Sequence, residues 1–173
     1  MEAPQCVLIL DFGGQYTQLI ARRVREHGVY SCVLPCGATL ADIRATRPMG
    51  IIFSGGPASV LDEGAPTVDE GVFALGVPVL GICYGMQLMA HLLGAPVERG
   101  ARREYGRTEV TMDRVEGGLL AGLRPRSACW MSHTYQVARP PEGFAAIAHT
   151  ADCPVAAMAD EARRLYGVQF HPE

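Results

Sequence analysis

The chain has 173 residues, 49% of them hydrophobic, and a formal charge of −3. That length buries a sizeable core without metal or disulfide support, and the mild negative charge gives no electrostatic case for nucleic acid or an anionic membrane surface. No apolar run approaches the roughly 20 residues that span a bilayer, and the start Met1-Glu2-Ala3-Pro4-Gln5 lacks the basic run of a secretory signal, so the expected location is cytoplasmic.

Val7 to Leu10 is a short apolar run that reads as a strand, followed by the loop Asp11-Phe12-Gly13-Gly14-Gln15-Tyr16 and an amphipathic helix from Thr17 to His27 with Gly28 as C-cap. Tyr30 to Leu34 is a second strand. Thr39-Leu40-Ala41-Asp42 has capping-box spacing and opens a second helix, which Arg47-Pro48 ends. A third strand, Gly50 to Phe53, runs into Ser54-Gly55-Gly56-Pro57. Thr67-Val68-Asp69-Glu70 again has the spacing of a capping box and predicts a helix closing near Gly76. A fourth strand reaches Cys83, with a helix from about Gly85 to Leu93 and a C-cap at Gly94.

This alternation predicts an α/β fold: a mostly parallel, doubly wound sheet with helices on both faces, whose sites lie beyond the carboxyl ends of the strands. After Gly94 the pattern changes. Pro96 to Arg99, Arg107 to Met112, Ala128 to Ser132, Phe144 to Thr150, Val155 to Ala159 and Leu165 to His171 read as short strands, with a helical turn at Gly118 to Leu123 and a hairpin turn at Asp160 to Arg164. The second half is therefore an antiparallel extension of the same sheet. With no linker or repeat, residues 1–173 form one domain.

Six cysteines, Cys6, Cys32, Cys36, Cys83, Cys129 and Cys153, form no CxxC pair and no regular framework, which fits reduced thiols. Cys32 and Cys36 could be half a metal site, but no second ligand pair with suitable spacing follows, so no metal is expected. Cys83 is different, because glycines stand two residues away on each side in Gly81-Ile82-Cys83-Tyr84-Gly85. A G-x-nucleophile-x-G turn between a strand and a helix holds its nucleophile clear of the sheet on a strained backbone. The positive end of the following helix favours a thiolate there. A cysteine after an apolar strand can also be a plain core residue.

The end of the chain supplies partners. Side chains alternate along a strand, so Gln169, His171 and Glu173 share one face, and Pro172 suits a strand end. A carboxylate beside a histidine holds the ring in one tautomer, the orienter-and-base part of a nucleophilic triad. A surface histidine with a solvated glutamate is the plain alternative. His27, His91, His133 and His149 compete for the same role, and His133 most seriously, since the expected loop Trp130-Met131-Ser132-His133 could reach the site.

The elbow Gly81 to Gln87, the loop Ser54-Gly55-Gly56-Pro57 and the ending Gln169-Phe170-His171-Pro172-Glu173 together resemble the class I (triad) glutamine amidotransferases. The stretch Asp11 to Glu26, with Arg103-Glu104-Tyr105-Gly106 and Trp130-Met131-Ser132-His133, is similar within that class to the glutaminase domains of GMP synthases. The resemblance implies a flavodoxin-like fold and a glutaminase: Cys83 attacks the side-chain amide of L-glutamine, His171 moves protons and Glu173 orients it. It implies an oxyanion hole from the backbone N–H groups of Gly56 and Tyr84, with Gly55, Gln87, Ser132, His133, Thr134 and Tyr135 around the substrate. It further implies that ammonia passes to an ATP pyrophosphatase (GMP synthetase) domain or subunit, where ATP and magnesium aminate XMP to GMP, and that this domain itself needs no cofactor.

Two features depart from the family pattern. Thr134-Tyr135 follows His133 where the family often carries an aspartate, and the family's domain continues past the triad glutamate, so the chain reads as a domain cut after Glu173. Two alternatives stay open: the glutaminase subunit of another amidotransferase, or a cysteine hydrolase or peptidase of related fold. A catalytically silent regulatory module is a further class, though no triad member is lost.

Overall fold

The computed structural model describes residues 4–173; Met1 to Ala3, part of the start that argued against a secretory signal, lie outside the described residues. Nine strands form one sheet in the order β2-β1-β3-β4-β9-β8-β7-β5-β6. The strands are β1 (Cys6–Asp11), β2 (Tyr30–Pro35), β3 (Pro48–Phe53), β4 (Val79–Ile82), β5 (Val97–Met112), β6 (Arg126–Val137), β7 (Ala145–His149), β8 (Ala157–Asp160) and β9 (Leu165–Val168). From β2 to β9 neighbours run parallel, and from β9 to β6 antiparallel. β9 is the seam.

Helices α1 (Thr17–Glu26), α2 (Leu40–Ala45) and α3 (Tyr84–Leu92) cover the parallel half. The two-residue period of β1 separates two cores. Leu8 and Leu10 pack with Ile43 of α2 and Met86 and Met89 of α3, whereas Ile9 packs with Ile20 and Ala21 of α1 on the other side. Helices therefore lie on both faces, as expected. α2 starts on a true capping box, with Thr39 Oγ1 accepting from Asp42 N–H and Asp42 accepting from Thr39 N–H. No helix among the described residues is long and apolar enough to cross a membrane.

Three local expectations are corrected, and one holds within narrower bounds. The segment after Thr67 is a 3-10 helix, Glu70–Ala74, and Asp69 rather than Thr67 caps it by accepting from Gly71 N–H. The strands expected at Pro96–Arg99 and Arg107–Met112 are one 16-residue strand, β5, with an irregularity between Arg99 and Glu104. The helical turn expected at Gly118–Leu123 is present as a short 3-10 helix, Gly118–Leu120. Trp130 to His133 lie within strand β6, not in a loop. The thiols are also not all free, because Cys6 and Cys32, on adjacent strands with Cα atoms 6.7 Å apart, are joined as a disulfide. Sequence spacing alone could not show that the β1–β2 pairing, which sets Cys6 opposite Tyr30 and Cys32 opposite Leu8, leaves the two cysteines diagonal neighbours.

Candidate active site

β4 delivers Cys83 to the N-terminus of α3 with φ 52° and ψ −108°. Residues other than glycine occupy positive φ only when their surroundings hold them there. Cys83 N–H donates to Val168 O of β9 at 2.8 Å, and Cys83 O accepts from Gln87 N–H at 3.1 Å. Backbone approach dictates the flanking glycines. A Cβ on Gly81 would stand 2.5 Å from Gly85 O, and one on Gly85 would stand 2.6 Å from Phe53 Cβ and O. Cys83 is buried, yet it borders two cavities, so it is more than a core cysteine.

The loop after β3 forms the other wall. Ser54 is fully buried; its Oγ accepts from Phe12 N–H and donates to Gly55 O, both at 2.9 Å. A Cβ on Gly56 would collide with the Phe12 carbonyl, so this glycine answers to packing against the Asp11–Tyr16 loop. A Cβ on Gly55 would lie 3.2 Å from His171 Cε1 and 3.7 Å from Cys83 Cβ. The bare Gly55 backbone thus leaves room for histidine and cysteine to face each other. Tyr84 N–H opens α3 and, as a first-turn donor, has no partner inside the helix.

His171 lies beyond the last ladder pair of β9. An isolated bridge to Trp130 holds it, with His171 N–H donating to Trp130 O at 2.9 Å. Its Nδ1 meets Glu173 Oε1 at 2.8 Å, and the rings of His171 and Tyr16 sit edge to face with centroids 5.8 Å apart. Burial pulls the His171 pKa down, but the nearby Cys83 sulfur and the hydrogen-bonded Glu173 carboxylate outweigh it and carry the pKa to about 10. In the thiol form, Cys83 Sγ donates to Ser132 O at 3.7 Å, and Gln169 Nε2 donates to Sγ at 3.5 Å.

The structure holds the Glu173 backbone carbonyl by Arg23 Nε at 3.1 Å and buries the glutamate side chain. Of the competing histidines, His27, His91 and His149 line neither cavity, and His149 pairs with Asp113 instead. His133 borders the second cavity, but its ring is committed to Glu104 Oε1 and Tyr135 O, each at 3.0 Å.

The two cavities divide the expected residues. One, of about 320 Å³, is bordered by His171, Glu173, Gly55 and the Gly13–Thr17 loop. The other, of about 350 Å³ and more polar, is bordered by Tyr84, Gln87, His133, Thr134 and Tyr135. Gly56, Cys83 and Ser132 belong to both. Gln87 is buried, donating to Tyr135 O at 2.8 Å and Gln169 Oε1 at 3.0 Å, while Thr134 Oγ1 shares a hydrogen bond with Tyr105 OH.

Sequence reasoning did not assign Gln169, Tyr16, Arg23 or Glu104. Gln169 carried a geometric signal, since it shares the strand face of His171, whereas Tyr16, Arg23 and Glu104 lay in quoted motifs with no role assigned to them. For metal, Glu104, His133 and Cys153 bring ligand atoms within 4.8 Å of one another. Their protein partners already engage them, and burial, followed by the Glu104 charge, pushes the Cys153 thiol up to about 12.

The profile of the class-I glutamine amidotransferase family matches residues 8–173. The chain is 60% identical over 167 residues to a GMP synthase (glutamine-hydrolyzing) of Clostridium perfringens, covering 96% of this chain and 33% of the relative. It is 57% identical over 169 residues to the protein of the same name from Acetivibrio thermocellus, covering 98% of this chain and 33% of the relative. The chain thus spans about a third of the length of the curated relatives it matches. Among solved structures it resembles a protein described as a GMP synthase subunit from Thermoplasma acidophilum, with a TM-score of 0.87, 28% identity, 99% of this chain and 86% of the other covered. A glutamine amidotransferase from Thermotoga maritima, at 19% identity and a TM-score of 0.76 over 98% of this chain and 76% of its own, shares the fold.

Proposed function

The chain belongs to the class-I glutamine amidotransferases, and from that premise we propose that it hydrolyses L-glutamine to glutamate and ammonia through a thioester on Cys83. The observation that carries the reading is His171, held between the elbow cysteine and Glu173 with its pKa raised to about 10. The Cys83 thiolate attacks the side-chain amide carbon, and the carbonyl electron pair moves onto oxygen beside the N–H groups of Gly56 and Tyr84. Collapse breaks the carbon–nitrogen bond as the His171 imidazolium gives its proton to the departing nitrogen, releasing ammonia. The now neutral His171 takes a proton from water as the water oxygen attacks the thioester. The carbon–sulfur bond breaks, glutamate leaves, and the thiolate–imidazolium pair returns.

The division of cavities supports an orientation. The amino-acid end of glutamine occupies the polar cavity of Gln87 and Ser132 to Tyr135, which leaves the amide nitrogen facing His171. The names of the relatives, glutamine-hydrolyzing GMP synthases, support GMP synthesis as the destination of the ammonia; the proposal adds a synthetase domain or subunit that uses ATP and magnesium to aminate XMP in the cytoplasm, as the sequence resemblance implies. Treatment with a glutamine-mimicking diazoketone followed by intact mass tests the reading. One adduct on the wild-type protein and none on Cys83→Ala is the expected result; no wild-type adduct, or an undiminished one on the variant, refutes it.

A further inference from the structure

The motif Arg103-Glu104-Tyr105-Gly106 stays outside the chemistry just described, and the β5–β6 ladder sets its Glu104 directly opposite His133 of the polar cavity wall. Both residues are buried, with side-chain exposures of 6% and 2%. Glu104 Oε1 meets His133 Nε2 at 3.0 Å, and Oε2 accepts from Thr150 Oγ1 at 2.8 Å. Thr150 Oγ1 in turn accepts from Cys153 N–H at 2.9 Å and Asp152 N–H at 3.2 Å, which ties the pair to the turn after β7. On the far side of the ring, His133 Nδ1 donates to Tyr135 O at 3.0 Å.

Hydrogen-bond bookkeeping fixes what the pair must hold. A carbonyl only accepts, so Nδ1 carries a proton, and the Nε2–Oε1 contact needs one more proton, on one atom or the other. The network is thus fully satisfied from Thr150 to Tyr135. Such a buried chain specifies one geometry, because any broken member leaves a desolvated polar group. Its output is two carbonyls on the same strand. Tyr135 O accepts from His133 and also from Gln87 Nε2, and Ser132 O, the neighbour on the other side of His133, faces Cys83 Sγ.

We infer that Glu104 and His133 are positioning residues that set the β6 edge of the polar cavity against α3, and so control how glutamine is presented to Cys83. The inference rests on the glutaminase reading above. Neither residue exchanges a proton with the reacting atoms. Glu104→Gln preserves the arrangement with no net charge: the amide oxygen accepts from Thr150, and the amide N–H donates to His133 Nε2. Glu104→Ala breaks it, and Glu104→Asp keeps the charge but draws it back by one methylene.

The test compares two inactivators of Cys83 in the intact protein. Iodoacetamide senses only the thiol and His171, whereas the glutamine-mimicking diazoketone must also be positioned by the cavity. Displacing a bound reactant by about 1 Å costs on the order of 10²-fold. In Glu104→Ala, or in Glu104→Asp where the alanine variant yields no soluble protein, the diazoketone rate constant is expected to fall roughly tenfold or more. The iodoacetamide rate constant should stay within about threefold, KM for glutamine should rise more than kcat falls, and Glu104→Gln should restore the wild-type pattern. A packing role alone leaves both rate constants unchanged in the folded variant and overturns the inference. So does a parallel fall of both, or a Glu104→Gln protein as impaired as Glu104→Ala. A wild-type protein that takes no diazoketone removes the glutaminase reading, and this inference with it.

Discussion

Replacing Glu173 by glutamine tests the electrostatic core of the site. The side chain is nearly isosteric, so the 2.8 Å contact to His171 Nδ1 can persist while the charge is lost. Burial lowers the His171 pKa, and Cys83 and Glu173 together raise it to about 10. An adjacent opposite charge favours the protonated ring, so its loss in Glu173→Gln moves the His171 pKa down from about 10. Each unit corresponds to about 1.4 kcal/mol of lost preference for the imidazolium. The sign follows from the role. A raised pKa keeps the proton donor loaded to higher pH, so wild-type release of ammonia should fail only as pH approaches about 10, and the variant should fail lower. Losing the carboxylate also frees the imidazole to adopt the wrong tautomer, which in a serine-protease triad costs about 10⁴ in kcat. Following the His171 ring resonances by NMR between pH 5 and 11, beside a pH profile of glutamine hydrolysis, measures both effects. A wild-type His171 titrating at its ordinary value, or identical titrations in wild type and Glu173→Gln, would refute the reasoning.

Gly85→Ala should lower the melting temperature strongly, because its Cβ would fall 2.6 Å from the Phe53 backbone oxygen; overpacking of this kind costs about 1–3 kcal/mol or more. Gly37→Ala, with nothing within 4 Å of its added Cβ, should leave calorimetry unchanged and serves as the control. Gln169→Leu removes the donor to Cys83 Sγ and one of two acceptors of Gln87 Nε2. It should cost about 1–3 kcal/mol in denaturant unfolding and lower kcat more than it raises KM. Glutaminase activity of the chain alone should be low and rise when a synthetase partner with bound nucleotide is added; equal steady-state rates with and without the partner would refute that coupling.

The parts of the site that were legible in the sequence are those set by local rules. Two glycines around Cys83 are readable because a Cβ at either position would stand 2.5 or 2.6 Å from neighbouring backbone oxygens, and only one residue type survives that. His171 and Glu173 are readable because a strand alternates faces. Glu104 is not, since its meeting with His133 depends on the pairing of β5 with β6 and on the irregularity between Arg99 and Glu104, neither of which leaves a local pattern. The same reason hides the Cys6–Cys32 bond, which depends on the β1–β2 register. At Thr67 the sequence misled: a threonine with glutamate three residues on matches a capping box, but Asp69, two residues later, caps a 3-10 helix instead.

The separation of nucleophile and base is set by backbone rather than by side-chain choice. β4 carries Cys83 at its end and β9 carries His171 beyond its end, and the two strands pair in register from Val79–Leu165 to Ile82–Val168. A slip of one residue would turn Gln169, His171 and Glu173 away from α3 and the elbow together. Several bonds oppose that slip on both sides of the seam: Cys83 N–H to Val168 O, Gln169 N–H to Ala156 O, and His171 N–H to Trp130 O. The first belongs to the parallel half and the other two to the antiparallel half. The antiparallel extension therefore fixes how far His171 stands from the elbow, and a change deep in β6 or β8 can reach Cys83 without touching it.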